Sequence, residues 1–524
     1  MAQLTDAAQP VPETGVADLG PFSKPLFEDP SARKLARVGV VDVGSNSVRL
    51  VVFDGAARSP AYFYNEKIMC GLGAGFGETG HLNPEGRTRA LSAMRRFKKL
   101  ADGMGLSELT CVATAAVRDA SDGQAFRDDV MRETGLRLWV IDGEEEARLS
   151  AQGVLLGWPA AYGLVCDIGG SSMELAEISG GRVGRRVSSQ LGPLKTRDIK
   201  GGAKARKAHI REVMEGLATR MGPQRDRLFL VGGSWRAIAK LDMLRRGYPL
   251  WVLHEYRMTR KSVAATIAFI REGGVEELRS AAGVSATRAA LVPYAAEVLE
   301  RLVKTFKPKD IAISSYGIRE GMLYEQMPQR LRDRDPLIEA CRFAEAKDAR
   351  NPGFGKVLHS FISPLFKGAS PQRKRLVKAA CLLHDVSWRA HPDYRAEVCF
   401  DNATRANLGG LKHAERVFLG LALLYRYSNK RENSRFEDLY GMLSEEEQTQ
   451  AEVLGKALRF GAMLWMGRNE ERGELRWFPK KKQLELLMSR DMGPLFGEVA
   501  EARLASLADA LGAQMQVKMR REKR

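Results

Sequence analysis

The sequence predicts an α/β protein of two similar lobes facing one another, followed by a separate all-helical region. Three observations carry that expectation. A strand meander with a glycine-serine turn occurs twice, over 38–68 and again over 164–187. Strand and helix signals alternate after each copy. Beyond about Leu331 the β-signals fade, and apolar stripes at helical spacing run through 356–365, 375–384 and 413–425.

The first meander reads as strands over 38–43, 48–53 and 61–68, with Gly44-Ser45-Asn46-Ser47 between the first two. A glycine-rich stretch from Gly71 to Gly77 follows, and Asn83-Pro84 opens a helix as N-cap and first-turn proline. The second meander reads as strands near 164–168, 173–178 and 182–187. Laid over the first, it reveals an internal repeat: Val41-Asp42-Val43-Gly44-Ser45-Asn46-Ser47-Val48 matches Cys166-Asp167-Ile168-Gly169-Gly170-Ser171-Ser172-Met173. Duplication makes two facing lobes the natural architecture. Two further strand ends, Val231-Gly232-Gly233-Ser234 and Ile313-Ser314-Ser315-Tyr316-Gly317, fit the second lobe. The expected organisation is a disordered leader over 1–32, lobe I over 33–157, lobe II over 158–330 and a helical region over 331–524.

A chain of 524 residues is too long for one core. Its 44% hydrophobic and 28% charged content is that of a globular protein, and no apolar run reaches membrane-spanning length. The leader lacks the basic start and apolar stretch of a signal peptide. Six cysteines lie far apart without a C-x-x-C pair, which reads as reduced thiols in a cytoplasmic protein. The formal charge of +18 favours polyanionic partners: nucleic acid, acidic lipid, nucleotide or polyphosphate.

A turn of Gly, Ser and Asn leaves backbone N–H groups open to phosphate oxygens. Gly44, Ser45, Asn46 and Ser47, with Gly169, Gly170, Ser171 and Ser172, are therefore candidate phosphate binders. Asp42 and Asp167, at the ends of the preceding strands, are placed to hold Mg²⁺ between carboxylate and phosphate. Each turn alone would also serve as a plain hairpin, and the duplication is what favours phosphate. Neither G-x-x-x-x-G-K-[ST] nor G-x-G-x-x-G occurs, so the P-loop and Rossmann readings drop out. Hydrolysis of a phosphoanhydride needs a base on water and a cation near the transferring group. Glu144-Glu145-Glu146 offers the base and Arg118 the cation, although three glutamates also suit the first turn of a helix.

These residues resemble the exopolyphosphatase and guanosine pentaphosphate phosphatase family, a branch of the actin and sugar-kinase superfamily. The resemblance runs nearly in order over 38–324. It rests on Asp42–Ser47, on the stretch ending in Thr79-Gly80-His81-Leu82, on Ala113–Ala120, on Asp142-Gly-Glu-Glu-Glu-Ala-Arg-Leu149 and on Asp167–Leu175. It implies an actin-like fold in which Glu146 is the general base, Arg118 neutralises phosphate charge, and Asp167 with Glu174 organises Mg²⁺, joined by Asp42 from the opposite lobe. One departure is Ser171, where the family usually has glycine. The helical region, with His384-Asp385, resembles the HD-like domain of longer members. His359, His384, Asp385 and His413 are candidate ligands of a second metal, or else a satisfied core feature. The resemblance also implies a homodimer. The segment 478–524 is expected to be helical and basic.

Seven Lys or Arg lie between Lys195 and Arg211, a track for a long polyanion or a solvated helix face. The expected function is processive release of orthophosphate from inorganic polyphosphate. The alternatives are a guanosine pentaphosphate (pppGpp) 5′-phosphatase, with ppGpp as a related ligand, and a non-catalytic polyanion-binding regulator. No aromatic and polar base pocket is legible in the sequence.

Overall fold

The computed structural model describes residues 32–106, 109–224, 226–273, 275–282, 284–429, 434–464 and 473–520. The expected leader lies outside them except for Ala32. The first sheet holds β1 (Lys34–Val43), β2 (Ser47–Ala56), β3 (Ser59–Met69), β4 (Leu109–Ala113) and β5 (Leu138–Val140), in the order β3-β2-β1-β4-β5. Val40, Val41 and Val43 are wholly buried because helices cover both faces of the central strand β1, and β-branched side chains pack well on a pleated surface. The second sheet adds β6 (Gly163–Ile168), β7 (Met173–Ser179), β8 (Arg182–Ser189), β9 (Arg227–Val231), β10 (Arg257–Met258) and β11 (Asp310–Ser314), ordered β10-β11-β9-β6-β7-β8. In both, an antiparallel meander sits beside parallel strands, as the repeat predicts.

Two helices join the lobes, Gly143–Gly157 and Ile318–Glu325. Their backbones cross so closely that a Cβ on Gly321 would stand 1.7 Å from the carbonyl oxygen of Leu149, which only glycine avoids. Leu149, Val154, Met322 and Leu323 from these helices share one core with Val40 and Phe53 of the first sheet and Val165 and Phe229 of the second. The N-terminal ends of both helices are thereby held at the gap between the sheets.

The C-terminal region is helical, with Leu337, Phe361, Leu376, Phe418 and Leu458 in one apolar core. Its end departs from expectation. The segment 478–524 was expected to be helical, yet β12 (Gly473–Phe478), β13 (Gln483–Met488) and β14 (Gln514–Met519) form a three-stranded sheet, with the helix Glu498–Ala510 as the crossover between parallel β13 and β14. Gln-Leu-Glu-Leu-Leu-Met is rich in helix formers, and six residues are too few for periodicity to decide. Burial decides it, because Leu475, Leu484, Leu486 and Met488 are all fully enclosed by the helical core. No described helix is long and apolar enough to cross a membrane.

Candidate active site between two matching loops

The strands β1 and β6 each end at a four-residue loop closed by the same hydrogen bond. The Gly44 N–H donates to the Ser47 carbonyl at 3.0 Å, and the Gly169 N–H to the Ser172 carbonyl at 3.0 Å. The Ser171 hydroxyl donates to Ser45 Oγ at 3.1 Å, so the loops touch across the lobes. Gly192 backs the second loop, where a Cβ would lie 2.3 Å from the Ser171 carbonyl carbon. Asp42, Gly44, Ser45, Asn46, Ser47, Glu146, Asp167, Gly169, Gly170 and Ser172 line one cleft. Ser171 faces a neighbouring hollow instead, and its hydroxyl serves the other loop rather than the cleft.

Glu146 sits in the first turn of the helix Gly143–Gly157, whose N-cap Asp142 accepts from the Glu145 N–H at 2.7 Å. Its Oε2 lies 3.9 Å from Arg118 Nη1. Arg118 is steadied by the Ile141 carbonyl at 3.1 Å and Asp119 at 3.0 Å. Asp42 accepts from Arg319 at 3.2 Å, Asp167 from the Ser150 hydroxyl, and Glu174 Oε1 from Ser188 at 3.0 Å. Arg118 and Glu174 stand one layer behind the cleft lining.

Burial raises the pKa of all four carboxyls. Glu146 is pushed well above the usual range by desolvation, then by Glu174 and Asp167, against the pull of Arg118. Glu174 rises to about 8, through burial first and Asp167 second. Glu146 Oε2 and Glu174 Oε2 are buried acceptors without a hydrogen-bond donor, and Arg319 Nε is a buried donor without an acceptor. Both kinds of orphan are satisfied by a hydrated cation together with an anion. Among the described residues no three acidic or imidazole side chains converge on one metal position. A hard cation such as Mg²⁺ needs only one or two carboxylates and completes its shell with water and phosphate oxygens, so this donor set is compatible with it.

Sequence reasoning missed the cations. Arg49, Lys67, Arg236, Arg288 and Arg319 all line the cleft. Burial and crowding by like charges hold Lys67 down at about 8 and Arg236 at about 10. Arg236 and Arg319 follow glycine-bearing strand ends that the sequence did show, but a lone arginine has no spacing to mark it. Arg49 was findable, since it occupies the position of the repeat that Glu174 fills in lobe II.

The basic run divides. Arg206 is tied to Glu297 by bonds of 2.7 and 2.8 Å, and the Lys195 ammonium stands 5.5 Å over the Phe76 ring, while Lys204, Lys207 and Arg211 are exposed. In the helical region the His384 ring bonds the Cys381 carbonyl at 2.8 Å, and Asp385 takes both Arg350 nitrogens at 2.7 Å. His413 bonds Tyr248 and the His254 carbonyl. These side chains are satisfied separately and do not meet at one metal position.

Two α/β lobes that each present a glycine-serine loop to a cleft of carboxylates and cations define an actin-like protein built to handle phosphoryl groups. The chain belongs to the Ppx/GppA phosphatase family, whose model matches residues 51–330, and a second model, "Exopolyphosphatase, C-terminal", matches 367–517. Membership makes it a hydrolase of phosphoric anhydrides. Exopolyphosphatase 1 of Mycobacterium tuberculosis is 27% identical over 316 residues, covering 58% of this chain and 92% of that protein. Retrograde regulation protein 2 of Saccharomyces cerevisiae is 25% identical over 435 residues, covering 74% of this chain and 72% of its own. The crystal structure of an exopolyphosphatase from Cytophaga hutchinsonii superposes with a TM-score of 0.51 at 23% identity, over 56% of this chain and 98% of that one, a likeness of fold.

Proposed function

We propose that the chain is a cytoplasmic exopolyphosphatase that releases terminal orthophosphate processively from inorganic polyphosphate. The observation that carries this reading is the pairing of orphaned buried carboxylate oxygens with five cations around one cleft. The loop N–H groups and the cations Arg49, Arg236, Arg288 and Arg319 bind and orient the terminal phosphates. Glu146 Oε2 takes the proton of the attacking water, and burial makes it a stronger base once ionised. Arg118, 3.9 Å away, favours the charged form of that carboxylate against its burial and offsets charge on the transferring group. One or two of Asp42, Asp167 and Glu174 would hold Mg²⁺, which when bound would supply positive charge to phosphoryl oxygens. Six buried thiols without a disulfide suit a reducing compartment, and the family resemblance adds a homodimer.

A guanosine pentaphosphate 5′-phosphatase is a second reading, favoured by the hollow beside the loops. Phe76, Gln190, Asp198 and His209 line it, which gives a guanine an aromatic face and hydrogen-bonding groups. Phosphate release from long-chain polyphosphate and from pppGpp, measured side by side with Mg²⁺, tests both. Faster turnover of polyphosphate supports the first reading, faster turnover of pppGpp replaces it with the second, and release from neither rejects both.

A further inference from the structure

A crevice roomier than the catalytic cleft lies elsewhere among the described residues. It has about 1010 Å³ of space and lies between the end of lobe I remote from the phosphate loop and the helices Pro336–Asp348, Phe354–Ile362 and Pro371–Leu383. That is the size of a site for a small organic ligand. Arg33 and Lys34 precede the stretch matched by the first family model, and the wall from Glu339 to Ser360 falls in the gap between the two models. The crevice is thus built mostly from parts of the chain that the shared catalytic family does not describe.

Its chemistry has two halves. Phe343, Ala346 and Leu382 supply an apolar surface. Six cationic side chains face three carboxylates around it. One of the three, Glu345, is already engaged by the Gly355 N–H at 2.7 Å, and Glu339 pairs with Arg342 at 2.6 Å. Lys34, Lys347, Lys356 and Lys378 make no ion pair among the described residues. A shallower groove continues from the crevice past His359 and Lys378 to Lys374. Burial and then the nearby Lys378 ammonium hold the His359 imidazole below its usual range. A site that keeps several lysines unpaired beside an aromatic ring suits a ligand with phosphates at one end and an apolar ring at the other.

We propose that this crevice binds a small organic phosphate of the nucleoside di- or triphosphate type, at a site separate from the catalytic cleft. Lys356 and Lys378 grip the phosphates, and Phe343 and Leu382 carry the ring. The fluorescent analogue mant-ATP, titrated into the full chain, is the probe. Saturable binding is expected. Lys356→Glu with Lys378→Glu should weaken it by roughly tenfold or more, with basal phosphate release unchanged. Arg236→Ala, in the cleft, should leave mant-ATP affinity as it was. Unlabelled adenosine should displace the probe at least roughly tenfold less well than ATP. Both lysines point from helix surfaces, and the milder Lys356→Ala with Lys378→Ala should reproduce the direction of the loss. The proposal is overturned if mant-ATP does not saturate, if the charge-reversed and wild-type chains bind it equally, if Arg236→Ala abolishes binding, or if adenosine competes as well as ATP.

Discussion

In lobe I the residue paired across the hairpin from the loop aspartate is Arg49, and in lobe II it is Glu174. Next to the loop the two hairpins match in strand register, in the closing hydrogen bond and in the position of Asp42 against Asp167. One duplicated scaffold thus carries opposite charges at one position. Lobe I places a guanidinium beside its aspartate, which suits gripping phosphate. Lobe II places a second buried carboxylate beside its aspartate and close enough to Glu146 to raise its pKa, which suits a cation and a base. The repeated geometry offers backbone N–H groups from both lobes, and under the proposed function the difference in charge separates phosphate binding from proton transfer.

The sharpest test of that division is the base. Glu146→Gln removes the proton acceptor and keeps the shape, so turnover should fall by roughly 10²–10⁴ with little change in KM. Near-normal turnover would place the base elsewhere than on Glu146. The next test exploits the repeat itself. Arg49→Gln should lower kcat/KM by roughly ten- to hundredfold through KM, the range for a lost charge-assisted bond, with an unchanged Mg²⁺ requirement. Glu174→Gln should instead raise the Mg²⁺ needed for half-maximal rate. If the two variants shift the same parameter, the lobes are not divided in this way.

Stability gives a third. Glu174 titrates near 4.5 when unfolded and at about 8 when folded, so the folded state holds the extra proton between those values. Its stabilising effect is complete below pH 4.5 and lost as pH rises towards 8. In chelator, thermal stability should therefore decline over that window, by at most about 1.4 kcal/mol per pH unit for one proton. Glu174→Gln should flatten the decline, and so should Mg²⁺; a wild-type profile identical to the variant's would remove Glu174 as the cause.

The smallest effect concerns the basic helix of lobe II. Charge reversal at Lys204, Lys207 and Arg211, leaving Arg206 to its bond with Glu297, should flatten the salt dependence of long-polyphosphate binding. Tripolyphosphate hydrolysis should change by less than about twofold, because a short substrate stays within the cleft. Equal losses on both substrates would make that helix part of the cleft rather than a track.

How much of this was legible follows from the range of each interaction. The two hairpins, their loops and both loop aspartates were readable because a strand-turn-strand is encoded in contiguous residues, and a repeat doubles the signal. Glu146 was one of three adjacent glutamates, and only packing separates them: the structure buries Glu146 against Arg118, while Glu144 is exposed and Glu145 pairs with Arg148. The cations Lys67, Arg236, Arg288 and Arg319 come from four distant segments, so no local pattern could gather them. The strand β13 was hidden because its leucines suit helix and strand alike, and burial in the helical core settled the choice. Local propensity and repetition in the sequence determined the hairpins and what chemistry they offer. Which charges meet them, and which carboxylate loses its water, was decided only when the two glycine-crossed helices brought distant segments together in a low-dielectric cleft.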